Sequence, residues 1–188
     1  VSRRPVDALE RALTEPGLRP LPPDAAAILR EVGAPPRLAA HLRAVHDVAA
    51  QLLDWLAGAA PELAVDRAAV LFGAATHDIG KALHPHELSG PGHEHEEAGA
   101  RMLRRHGPLA RFAATHARWD RPDATPEELL VTLADKVWKG RRETGLEERV
   151  AALLGGAPWE AYMVLDDELT RIADGAEARL AFQARHPI

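Results

Sequence analysis

Apolar positions along the chain recur at three- and four-residue intervals, while the two-residue alternation of a β-strand is nearly absent. With Pro, Gly and capping residues as punctuation, this spacing predicts a first helix over 6–13, ended by Pro16 and Gly17. A second over 25–32 has Asp24 as its N-cap and Gly33 as its stop. Pro35 and Pro36 open a long helix to about residue 57, broken by Gly58 and Pro61. Asp66 caps a helix over 67–78 that Gly80 closes. Residues 82–93, ALHPHELSGPGH, carry two Pro and two Gly and predict a loop. Further helices are expected at 94–106, 108–119, 126–139, 146–154 and 159–184. The expectation is an all-α, single-domain bundle of eight or nine helices without internal repeats.

Composition narrows the chemistry. The 188 residues suffice for one good core, and the 46% hydrophobic content is mostly Ala, Leu and Val because aromatics are only 4%. No apolar run is long enough to span a bilayer, and the charged, amphipathic start does not read as a leader, so a cytoplasmic protein is expected. With 23 Lys and Arg against 28 Asp and Glu, the net charge of −5 argues against a nucleic-acid polymer as partner. The absence of Cys removes thiolate metal sites and thiol nucleophiles, so any metal is held by His, Asp, Glu or water. Ten His are the unusual feature.

Helical facing sorts these histidines. Taking His41 as 0° at about 100° per residue, Leu38, Val45, Val48, Ala49, Leu52 and Leu56 fall between about −20° and 80°. His41 lies inside this stripe, and His46, at about 140°, lies on its flank. His77 and Asp78 end a hydrophobic helix, where a distorted last turn would let both reach one ion; Gly73, one turn earlier, leaves room for another helix. His95 shares a face with Gly99, Met102, Leu103 and His106. His116 shares one with Leu109, Phe112 and Ala113, and Asp135 borders the stripe of Leu130, Leu133, Ala134 and Val137. A carboxylate in such an apolar run costs several kcal/mol unless paired or bound to a cation. Alone, each is an ordinary core or cap residue. Together, four inward His and two Asp on five successive helices place six ligands without sulfur in one interior, a set suited to Fe, Mn, Zn, Co or Ni. His84 and His86 are expected to be exposed, His93 to lie in the loop, and Glu96 and Glu97 to serve the helix dipole.

His41, the pair His77-Asp78 followed by Ile79-Gly80-Lys81, and Asp135 in Leu133-Ala134-Asp135-Lys136 resemble the H…HD…D signature of HD-domain metal-dependent phosphohydrolases. His95 and His116 look like the two extra His of the subset with a second metal. The resemblance covers residues 36–140, with 1–35 as an N-terminal helical extension and 141–188 as C-terminal helices packed on the core. It implies an HD-type bundle in which His41, His77, Asp78 and Asp135 hold a first metal and Asp78 bridges to a second held by His95 and His116. One or two divalent ions (Fe, Mn, Co, Ni, Zn or Mg) are the implied cofactors. Asp78 and Lys81 are the implied catalytic residues.

The implied reaction is attack of metal-activated water on the phosphorus of a phosphomonoester or phosphodiester, a nucleotide being the favoured class. The expected partner is therefore a small anionic, phosphorylated molecule, with a homodimer left open. Lys81, Arg118 and Lys136 are candidate substrate contacts, with Lys139, Arg141 and Arg142 as further rim cations. Trp119 and Trp138 fit core packing better than base stacking. The chain lacks the GYP motif of cyclic-di-GMP phosphodiesterases and a synthetase-like second domain. Two other classes share the ligand pattern: a mixed-valent di-iron oxygenase, and a non-catalytic ligand-binding regulatory module, ranked last because all six ligands are present.

Overall fold

A computed structural model describes residues 7–188, so Val6, where the first helix is expected to begin, lies outside the described residues. Among those residues there are ten α-helices and no strand. They are α1 Ala8–Thr14, α2 Pro23–Glu31, α3 Pro36–Ala59, α4 Arg67–Thr76, α5 Glu94–Met102, α6 Arg111–Thr115, α7 Pro126–Val137, α8 Thr144–Leu153, α9 Pro158–Ala173 and α10 Ala176–Ala184. Three 3₁₀ segments join them: Ile79–Ala82, Pro85–Leu88 and Arg104–Ala110. Among the described residues no helix is long and apolar enough to cross a membrane.

The all-α expectation is met, with one helix more than its upper count. The residues predicted as one helix over 159–184 form two, because the turn breaks at Asp174-Gly175, where a Cβ on Gly175 would lie 2.7 Å from Arg179 Nη1. The helix expected at 94–106 stops at Met102, and the one expected at 108–119 shrinks to α6. Between them residues 104–110 wind as 3₁₀ turns broken at Gly107, whose φ of 59° lies in the left-handed region, and α6 ends at its C-cap His116. Asp24 lies inside the first turn of α2 instead of capping it, since Pro23 opens the helix one residue earlier. Asp66 caps α4 as read, accepting from the Ala69 amide, and the start of α7 adds a capping box formed by Thr125 and Glu128.

The long helix α3 is the axis of the fold, packed by α1, α4, α7, α9 and α10. Its N-terminal part (Leu38, Ala39, Ala40, Leu42) belongs to one apolar cluster with Leu29, Phe72, Ile79 and Leu103. From Ala44 onward it joins a second cluster with Val70, Leu130, Leu133, Val137 and Leu165. Each Leu so buried contributes about 1.5–3 kcal/mol. His41 sits where the two clusters meet.

Buried guanidinium groups fasten the flanking segments to this core. Arg43 of α3 donates to the carbonyls of Ala12 (2.8 Å), Glu15 (3.1 Å), Leu18 (2.7 Å) and Arg19 (3.3 Å), holding the chain before α2. Arg179 of α10 donates to the carbonyls of Trp138 (2.7 Å), at the end of α7, and Ile172 (2.6 Å), in the last turn of α9. A planar fork of five N–H donors is suited to binding several carbonyls at once.

Candidate metal centre

Five successive helices deliver six side chains to one interior point. His41 comes from the buried face of α3. The α-helix of α4 ends at Thr76; His77 (φ −53°, ψ −36°) caps it, and Asp78 (φ −99°, ψ 11°) starts the tighter 3₁₀ turn. This change of winding is the distorted last turn that lets two consecutive side chains face one site. His95 lies in the first turn of α5, His116 caps α6, and Asp135 lies on α7.

Glycines permit the close packing this requires. A Cβ on Gly80 would stand 1.9 Å from the His95 carbonyl oxygen, and one on Gly73 would stand 2.6 Å from the Phe112 ring. Gly99 is less confined, its Cβ position 3.0 Å from that of Ala113. The α4 end, α5 and α6 can thus approach closely enough for their side chains to meet.

The six residues form two groups, with Asp78 between them. The ligating atoms of His41, His77 and Asp135 all lie within 4.8 Å of one another, as do those of Asp78, His95 and His116. Asp78 Oδ2 is 3.2 Å from His41 Nε2 and 3.7 Å from His77 Nε2. Its other oxygen, Oδ1, is 3.2 Å from His95 Nε2 and 3.3 Å from His116 Nε2. Asp135 Oδ1 completes the first group, 3.6 Å from His41 Nε2 and 3.5 Å from His77 Nε2.

Partners on the outer side of the rings decide which nitrogen faces inward. His77 Nδ1 donates to the Ala74 carbonyl and His116 Nδ1 to the Ala113 carbonyl, both at 3.1 Å. His95 Nδ1 donates to Glu87 Oε2. A carbonyl can only accept, so these contacts fix the proton on Nδ1 and leave the Nε2 lone pair directed inward. His95 Nε2 and His116 Nε2 then face each other at 3.4 Å, with Asp78 Oδ1 as third corner. Three lone-pair donors facing one another repel unless a cation lies among them. In the first group, buried His41 Nε2 and His77 Nε2 have no hydrogen-bond partner, nor has Asp78 Oδ1 in the second. Unpaired buried polar atoms of this kind are rare and costly, and their convergence fits a divalent-ion centre with nitrogen and oxygen ligands.

Electrostatics keep His41 and the two carboxylates in their binding forms, whereas a cation must displace a proton at His77. Burial lowers the His41 pKa, more strongly than Asp78 and Asp135 raise it, and favours the neutral ring. Burial also opposes charge on His77, but Asp78 and Asp135 together outweigh it and raise its pKa. Burial pushes Asp78 upward, yet His77, His116, His41 and His95 hold it well below the ordinary carboxylate range. Asp135 is likewise held low against its burial, chiefly by His77. Both carboxylates are anions at neutral pH.

The other expected residues divide. Lys81 Nζ donates to Asp78 Oδ2 at 2.6 Å, placing a cation at the centre. Arg118 is exposed and donates to the Ala114 carbonyl at 2.7 Å. Lys136 is half-buried, and among the described residues neither it nor Arg118 forms an ion pair with the six. Arg142 is unsuited to the rim, because Glu147 (2.8 Å) and Asp166 (2.5 Å) hold its guanidinium. Trp138 packs with its ring 4.9 Å from that of His41, and Trp119 lies against the core, as their core reading requires. His46 is buried outside both groups, its pKa pulled down to about 4 chiefly by burial.

Glu87 is the functional residue that helical periodicity misses. Its side chain is 1% exposed, within a segment expected to be a plain loop. Pro85 starts a 3₁₀ turn there, and the Glu87 carboxylate turns inward to His95 Nδ1 and to the amides of Glu94 (3.1 Å) and His95 (3.3 Å). The signal available was a carboxylate eight residues before a ligand His, between Pro85 and the glycines of SGPG.

Comparison with known proteins matches the HD domain family model to residues 38–138. No curated protein and no solved structure matches the chain.

Proposed function

Because the chain belongs to the HD domain family, whose metal-dependent hydrolases the centre resembles, we propose that it is a phosphohydrolase acting on a small phosphomonoester or phosphodiester, a nucleotide being the favoured class. The observation that carries this reading is the division of Asp78, whose two oxygens each face a separate group of imidazoles. His41, His77, Asp78 and Asp135 would hold one divalent ion, and Asp78, His95 and His116 a second. Bound there, the ions supply Lewis-acid activation of water and charge neutralisation at a phosphoryl group.

The remaining roles belong to the chain. Asp78 and Asp135 offset part of the charge of two cations and leave the interior net positive toward an anionic substrate. The Ala74, Ala113 and Glu87 acceptors hold three imidazoles in the required tautomer and orientation. Lys81, with 19% side-chain exposure, offers the site's nearest ammonium to an incoming anion. Arg118 and Lys136 are proposed as outer contacts that attract it.

The test is phosphate release across nucleotides and simple phosphate esters, with Mn, Co, Ni, Zn, Mg or Fe supplied singly. Release that depends on metal and is lost in Asp78→Ala supports the assignment. Dioxygen consumption by the iron form, without phosphate release, would select the oxygenase, and inactivity with every metal would select the binding module.

A further inference from the structure

A third group of ligand-type side chains lies beside the centre, on the solvent side of Glu87. His84, Glu87 and Glu94 bring ligating atoms within 4.8 Å of one another. His84 Nδ1 is 3.6 Å from Glu94 Oε2. His86 Nε2 is 3.8 Å from Glu87 Oε1 and 4.0 Å from Glu94 Oε2. The two imidazole rings are edge to face, with centroids 6.0 Å apart.

The spacing matters more than the composition. Opposite charges on flexible side chains normally close to hydrogen-bond distance, as Arg101 and Glu97 do nearby at 2.7 Å. The His84, His86 and Glu94 side chains instead converge at distances just too long for hydrogen bonds. Zinc bonded to nitrogen and oxygen at about 2.1 Å sets tetrahedral ligand-to-ligand edges of about 3.4 Å; the separations of 3.6, 3.8 and 4.0 Å here need to close by only a few tenths of an ångström. The interior groups around Asp78 are somewhat tighter, at 3.2–3.7 Å.

The frame is partly rigid. Pro85 starts the 3₁₀ turn between the two imidazoles, and Glu87 is held by the amides of Glu94 and His95. A Cβ on Gly92 would lie 2.4 Å from the Glu87 carboxylate, so the loop closes over Glu87 only with glycine there. Glu87 Oε2 serves His95, while Oε1 takes the Glu94 amide and keeps a second lone pair for another partner.

We propose that His84, His86, Glu87 and Glu94 form a third, exchangeable divalent-cation site of the zinc class at the rim of the interior centre. Two imidazoles and two carboxylates favour a borderline ion over Mg²⁺ or Ca²⁺. With 63% of the His86 side chain and 71% of the Glu94 side chain exposed, the ion exchanges with solution and binds more weakly than those inside. Glu87 is shared with His95, which links occupancy of this site to the second interior group.

The experiment is equilibrium dialysis of the whole protein against graded free Zn²⁺, comparing wild type with the His84→Ala/Glu94→Ala double variant. The expected result is one more Zn²⁺ per chain in the wild type, taken up at the weaker step. Glu94→Gln, a single change at an exposed position, should weaken that step at least about tenfold. Equal stoichiometry in wild type and folded double variant, or an unchanged weak step in Glu94→Gln, overturns the site. The readout is a difference between proteins, so it stands whether or not the hydrolase reading does.

Discussion

Lys81 Nζ lies 2.6 Å from Asp78 Oδ2, the same oxygen that His41 Nε2 approaches at 3.2 Å. One carboxylate oxygen thus faces both an interior imidazole and a partly exposed ammonium. Lys81 is no part of either ligand group, and under the proposed reaction a bound anion would share its ammonium with Asp78. Lys81→Met is expected to keep its metal and lose turnover by about 10²-fold. Metal analysis beside phosphate-release kinetics checks this; parallel loss of metal would make Lys81 a structural partner of Asp78 only.

His41 and His46 lie five residues apart on one helix, and only His41 faces the centre. His41→Ala should deplete the first metal group, whereas His46→Ala should leave metal content nearly intact. Elemental analysis of the two variants distinguishes them, and the reverse pattern would mean that the register of α3 is misassigned.

His46 also sets a pH dependence. Burial, only partly offset by Asp47, depresses its pKa from 6.5 to about 4. Between those values the unfolded chain takes up a proton that the folded one does not, so stability falls as pH falls. The contribution is complete above pH 6.5 and declines toward pH 4, by about 3 kcal/mol at most. His46→Leu should flatten that limb in denaturant titrations; a decline parallel to wild type would assign the loss to other groups.

Gly80 is the tightest point of the centre, since an added Cβ would meet backbone atoms of both His95 and Gly99. Backbone cannot swing aside as a side chain can. Gly80→Ala should cost about 3 kcal/mol and pull His95 away from Asp78. Thermal unfolding together with metal content measures both effects, and a variant as stable as wild type would show that α5 shifts freely.

The sequence made the ligand pattern legible where helical facing applied. His41, His95, His116 and Asp135 could be placed because the apolar stripes around them fix which side is buried. Asp78 was accessible through the dipeptide it forms with His77, although its role as the shared carboxylate depends on the unwinding after Thr76. Glu87 was hidden because a 3₁₀ turn between glycines and prolines has no period from which to read a facing. Arg43 was hidden for a different reason: its partners are carbonyls of residues 12–19, and backbone groups leave no mark on side-chain patterns. The 3₁₀ winding on both sides of the left-handed Gly107 was also hidden, because the sequence showed that glycine only as a break between two helices.

The most direct measurement counts metal per chain in wild type, Asp78→Ala and His116→Ala after gel filtration in metal-free buffer. Shared use of Asp78 predicts two tightly held ions in the wild type, one in His116→Ala and close to none in Asp78→Ala. An Asp78→Ala protein that folds and retains the wild-type count would contradict it.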